Sequence, residues 1–126
     1  MTPNSLHAVE VKNTLDKLIH SVSDQVFDIL ESTYHESMRI YMMAGNDVLH
    51  QMNKVAFKNH IAESIKSTDA PSVWANYHLV EADEKNGHVI ISRKVNLTGI
   101  EQVVTLSIDF IYEDNRWQIT REVIFT

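Results

Sequence analysis

From Val73 to Thr126, apolar and polar residues alternate in four runs separated by Asn86-Gly87, Thr98-Gly99 and Asp114-Asn115. Four strands joined by two-residue hairpin turns produce this pattern, and Asn-Gly is its strongest signal. Upstream the period changes. From Ser5 to about Val22, Val11, Leu15, Leu18, Ile19 and Val22 recur at helical spacing, with Asn13, Asp16, Lys17 and His20 on the other faces. Ser21 followed by Asp24 offers a capping box for a second helix whose face carries Val26, Phe27, Leu30 and then Tyr34. Met38 to Met43 reads as a short strand, ended by a turn at Ala44-Gly45-Asn46-Asp47. Asn53 is positioned to cap a third helix running to about Ser67, with Phe57, Ile61 and Ile65 as its buried stripe. Asp69-Ala70-Pro71-Ser72 breaks it. Helices first and an antiparallel sheet afterwards make an α+β domain, and 126 residues give room for one domain, 1–126.

The turns also predict a register. Pairing Lys85 with His88 sets Val80 against Arg93 and Ala82 against Ile91; pairing Leu97 with Ile100 sets Arg93 against Val104 and Val89 against Ile108. Pairing Glu113 with Arg116 brings Tyr112 beside Trp117, Phe110 beside Ile119 and Ile108 beside Arg121. One face then collects Trp74, Asn76, His78, Val80 and Ala82, with Glu84 at its edge, and the three helices should cover it. A β-bulge would invalidate part of this register. The opposite face keeps Tyr77, Leu79, Ile90, Val103, Ile111 and Ile124, more apolar surface than a free sheet usually shows, so a homodimer through it is expected.

Composition narrows the classes. A formal net charge of -6 with 11 scattered Lys and Arg provides no footprint for nucleic acid. There are no cysteines, hence no disulfides, thiolate metal sites or cysteine nucleophile. The first twenty residues mix Glu10, Lys12, Asp16 and Lys17 among apolar ones, unlike a signal peptide, and no run is long enough for a membrane span. A cytoplasmic location is the expectation. The seven histidines show no metal-ligand spacing, and three glycines leave no phosphate loop, so neither metal nor cofactor is expected.

On the face expected to be covered, His78 alone titrates near neutrality. Arg93 lies diagonally from it at roughly 7–8 Å. With Asn76 these residues could hold an anionic or carbonyl-bearing group, Arg supplying paired donors. Trp74, Tyr112 and Trp117 would serve as core or pocket wall. A covered Arg93 needs a ligand, water or carboxylate to meet it.

The helix pair, the segment Tyr34-His35-Glu36-Ser37-Met38-Arg39-Ile40-Tyr41, the helix containing Ala56-Phe57 and the meander ending Asp114-Asn115-Arg116-Trp117-Gln118-Ile119 together resemble the nuclear transport factor 2-like superfamily. Tyr34-His35 and Trp117-x-Ile119 most resemble its lumazine-binding and polyketide-cyclase-like branches. The resemblance implies a conical, cystatin-like half-barrel with a pocket between helices and concave sheet, commonly dimerising through the sheet's outer side. It departs from ketosteroid isomerase, a relative with this fold whose general base is an Asp after the short strand; here Met42 falls at that place, with Asp47 nearby. The expected function is small-molecule binding, an apolar or aromatic ligand read at its polar end by His78, Arg93 and Tyr41. The alternatives are a cofactor-free isomerase, dehydratase or cyclase with His78 as acid/base, and a protein interaction module acting through the outer sheet face.

Overall fold

The computed structural model describes residues 2–3, 5–43, 47–67, 72–96 and 100–125. The expected turns at residues 44–46 and 98–99, the break at 69–71 and the side chain of Ile65 lie outside them. The elements are β1 (Thr2–Pro3), α1 (Leu6–Ser23), α2 (Asp28–Thr33), β2 (Tyr34–Met43), β3 (Leu49–Met52), α3 (Lys54–Ser67), β4 (Ala75–Ala82), β5 (Asn86–Asn96), β6 (Glu101–Glu113) and β7 (Arg116–Phe125). The strands form one seven-stranded sheet in the order β1-β4-β5-β6-β7-β2-β3. The sheet is curved and unclosed, an α+β half-barrel. It is mixed rather than wholly antiparallel, because β2 lies parallel to β7.

Helix α1 follows its sequence pattern closely. The Ser5 hydroxyl accepts from the Ala8 amide at 3.1 Å as N-cap, and Ala8, Val11, Leu15, Leu18 and Ile19 are buried against the sheet. A left-handed Gln25, with φ 60°, follows its C-cap. The second helix departs from expectation. Ser21 lies inside α1 and donates to the Leu18 carbonyl, α2 has six residues and no side-chain cap, and Val26 and Phe27 stay exposed. Tyr34 already begins β2, which runs four residues longer upstream than the Met38 to Met43 reading. Helix α3 starts as the Asn53 cap requires, with Asn53 Oδ1 accepting from the Ala56 amide at 2.9 Å. The buried Lys54 fastens it by donating to the Glu31 carbonyl at 2.9 Å and to Glu36 Oε1 at 3.1 Å. Phe57 and Ile61 pack half-buried on the core.

The β5–β6 register agrees with the sequence at every pair from Asn86↔Ile111 to Asn96↔Glu101, including Arg93↔Val104 and Val89↔Ile108. Asp114 and Asn115, with φ 55° and 61°, form the expected two-residue turn joining Glu113 to Arg116. The first hairpin differs. Its connection is residues 83–85, not Asn86-Gly87, and Ala82 pairs with Gly87. Asp83 takes over the turn, its Oδ1 accepting from the Lys85 and Asn86 amides at 2.9 and 2.7 Å. These amides, Asn86 first, hold its carboxyl below the ordinary range. Glu84 consequently sits exposed in that turn. Gly87 is needed for close approach: a Cβ there would stand 2.9 Å from Val11 Cγ2 and 3.4 Å from Phe110 Cβ, under α1.

Two bulges then exchange residues between faces. In β4 the register shifts between Tyr77 and Leu79, so Tyr77 pairs with Ile91 and Ala75 with Arg93 on the covered face, while Asn76 pairs with Ser92 outside. In β7 it shifts at Thr120: Phe110 still pairs with Ile119, but Asp109 now faces Arg121, Ile108 faces Glu122 and Leu106 faces Ile124. Arg121 thereby moves outward and Glu122 inward, one residue being inserted on one strand without a partner. Of the residues expected outside, Tyr77 and Ile124 are inside. Leu79, Ile90, Val103 and Ile111 stay outside, with the polar row Glu81, His88, Asp109, Arg121 and Arg39 running across that face.

Candidate functional site

The bulge in β7 places a carboxylate in the core. Glu122 is only 4% exposed, and the Tyr34 hydroxyl donates to its Oε1 at 2.6 Å. Tyr34, at the start of β2, pairs with Ile119 on the same strand. Phe57 of α3 closes over it, ring centroids 5.0 Å apart. Burial raises the Glu122 carboxyl above the ordinary carboxylate range, against smaller downward pulls from the Tyr34 bond and the Arg93 charge. Burial likewise drives the Tyr34 phenol well above its ordinary range, and the Glu122 charge adds to that. Among the described residues Tyr34 is the one hydrogen-bonding partner of Glu122. No buried side-chain oxygen or nitrogen among them lacks a partner, so the second carboxyl oxygen keeps the group's small opening.

Arg93 enters from β5 on the same face. Its Nη2 donates to the Ser72 carbonyl at 2.8 Å and its Nε to the Trp74 carbonyl at 3.2 Å. Burial lowers its pKa, while Tyr34, Glu122 and Tyr77 favour its charge. Tyr77, turned inward by the β4 bulge, donates to Asp16 Oδ1 of α1 at 2.6 Å, and the Lys12 ammonium stands 4.8 Å from its ring centroid. Burial, then the Asp16 bond, raises the Tyr77 phenol. Arg93 thus feels the Tyr34–Glu122 pair and the Tyr77 phenol. Half-buried Phe57, Ile61, Ala75, Val95 and Ile124 pack at the core around this end of the sheet.

The sequence-derived residues divide between places. Arg93 alone of them joins this cluster. His78 is exposed at the β4 bulge, hydrogen-bonded to Ser92 Oγ at 2.7 Å on the outer face, so the expected His78–Arg93 neighbourhood is not formed. Asn76 is outside with it. Trp74 precedes β4, contributes its carbonyl to Arg93, and has the Lys94 ammonium 5.2 Å from its ring centroid. Tyr41 pairs with Val123 and Gln51, on the strand parity that faces outward. Tyr112 and Trp117 meet as tilted rings, centroids 5.3 Å apart, at the opposite end of the sheet, where the Trp117 indole donates to Glu10. Met42 pairs with Ile124 inside β2, and Asp47 is exposed. Glu122, Tyr34, Tyr77 and Asp16 were absent from the expected site. The signal for Glu122 was a loss of phase: after Trp117 and Ile119, three polar residues in succession give way to Val123-Ile124-Phe125. Among the described residues no three His, Asp or Glu side chains converge as metal ligands, and no helix is long and apolar enough to cross a membrane.

A helix-backed half-barrel with polar groups inside its concave face is a recurrent architecture, and solved structures match it along nearly the whole chain. A nuclear transport factor 2-like protein from Cytophaga hutchinsonii is 11% identical, with 97% of this chain and 98% of that one covered at a TM-score of 0.75. One of unknown function from Silicibacter pomeroyi is 13% identical over 94% and 93% of the two chains, at 0.74. Another of unknown function, from Shewanella baltica, is 11% identical over 94% and 90%, at 0.71. The chain has the nuclear transport factor 2-like fold. No protein-family model matches it, and no curated protein does.

Proposed function

We propose that the protein binds a small, largely apolar or aromatic molecule inside the half-barrel, with an uncharged polar end, a carbonyl or amide, held at Arg93 and Glu122. The observation that carries this reading is the buried Tyr34–Glu122 pair facing the same interior as Arg93. A carboxyl group pushed upward by burial retains its proton to higher pH than an exposed one, and when Glu122 holds that proton the Tyr34 bond to Oε1 leaves Oε2 to carry it. That oxygen then offers a donor to a ligand acceptor, as a neutral buried acid can. A carboxylate ligand fits less well, since Glu122 already stands near Arg93. Aromatic ligands of the kind suggested by the lumazine-binding and polyketide-cyclase branches satisfy the same requirement.

Native mass spectrometry of freshly purified protein tests this reading. A retained small molecule, lost in Arg93→Met, is expected; failing retention, 2-naphthamide should raise the melting temperature and 2-naphthoate should not. No retained molecule together with no response to either probe overturns the proposal.

A further inference from the structure

On the outer face, away from the proposed ligand site, three side chains stand in a fixed order. His88 Nδ1 is 2.7 Å from Asp109 Oδ1, its cross-strand partner. Ser107 Oγ is 3.4 Å from His88 Nε2. Arg121 fixes the carboxylate from the far side, Nε donating to Asp109 Oδ2 at 3.0 Å and Nη2 lying 2.9 Å from the same oxygen. An ionised carboxylate only accepts, so the imidazole proton sits on Nδ1. Nε2 therefore presents its lone pair, and the Ser107 hydroxyl donates to it. This is the arrangement by which a histidine removes a serine proton while a carboxylate holds its tautomer. The pleat explains the convergence: Ser107 and Asp109 are two apart on β6, hence on one face, and His88 lies across from Asp109 and diagonal to Ser107.

We propose that Ser107 is a histidine-activated nucleophile that takes an acyl group from activated esters or thioesters, with His88 as base and Asp109 and Arg121 as positioning residues. In the step, Ser107 Oγ attacks the acyl carbonyl carbon and its proton passes to His88 Nε2. The carbon–oxygen or carbon–sulfur bond of the donor breaks, and the leaving group departs as its anion or takes that proton. Water can then remove the acyl group as the free acid. The sheet sets a limit on the donor. Backbone amides of β5, β6 and β7 are committed to the ladder, and an oxyanion needs free donors aimed at it. Donors with good leaving groups are therefore accepted and amides are not.

Incubation with p-nitrophenyl acetate, followed by peptide mass spectrometry, is the test. One acetyl group on Ser107 is expected. Its rate should drop on the order of 10²-fold in His88→Gln. In Asp109→Asn the rate should also fall, whereas a merely structural Asp109 would leave the labelling rate of a folded variant unmoved. Circular dichroism establishes that each variant is folded, and Ser107→Ala should abolish the label. Acetylation confined to lysines or the amino terminus, or a Ser107 label formed equally fast in folded His88→Gln, overturns the proposal.

Discussion

Glu122 and Asp109 are both carboxylates with a hydroxyl- or imidazole-bearing neighbour, and they belong to opposite sides of one sheet. Glu122 faces Ile108; Asp109 is the next residue along that strand and points the other way. Inside, Glu122 meets the Tyr34 phenol and is kept from water, so its neutral form is favoured. Outside, Asp109 is one-third exposed, with Arg121 in contact and His88 on its other oxygen. Similar groups thus give a hydrogen-bond donor to a ligand on one face and a tautomer-fixing acceptor on the other. Solvent access and the nearest cation decide between the two roles. A single inserted residue in β7 turns Glu122 inward and sets Arg121 against Asp109.

This contrast has consequences for stability. The largest effect falls inside: Tyr34→Phe removes the phenol that satisfies Glu122 and should cost about 1–3 kcal/mol in denaturant unfolding. A loss near zero would mean that Glu122 is already served by water. The next effect is a pH dependence. Because the folded Glu122 pKa is raised above its unfolded value, the native state binds more protons in that interval. Stability from this group is complete below about pH 4 and declines as pH rises through the raised value. Glu122→Gln should flatten this slope in urea unfolding measured across that range; an unchanged slope would assign it to other groups. Smaller still, Arg121→Ala on the outer face should cost under about 1 kcal/mol, since its pair with Asp109 is solvent-screened, and the loss should shrink in high salt. A cost equal to that of Tyr34→Phe would remove the distinction between the faces.

Register separates what the sequence disclosed from what it hid. Strands β5 and β6 alternate without interruption, and their pairing was legible throughout, as were the α1 stripe, the Asn53 cap and the Asp114-Asn115 turn. Leu79-Val80 and Thr120-Arg121-Glu122 each place residues of one type in succession, so alternation there carries no phase; the β7 bulge falls at Thr120 and the β4 bulge at His78, just before Leu79. That is why Arg93 was recognised while His78 and Asn76 were assigned to the wrong side and Glu122 was not seen. Asn86-Gly87 misled for another reason. Its glycine answers a packing demand from Val11 rather than a turn, and a close approach leaves no local pattern. Strand β3 escaped notice because Leu49-His50-Gln51-Met52 lies at an exposed edge and need not alternate.

Cross-strand nuclear Overhauser effects read directly whether the β7 bulge turns Glu122 inward. Contacts that place Glu122 opposite Ile108 and Arg121 opposite Asp109 are expected, together with a Glu122 carboxyl carbon titrating above the ordinary carboxylate range. Contacts placing Arg121 opposite Ile108, with Glu122 titrating as an exposed carboxylate, would contradict it.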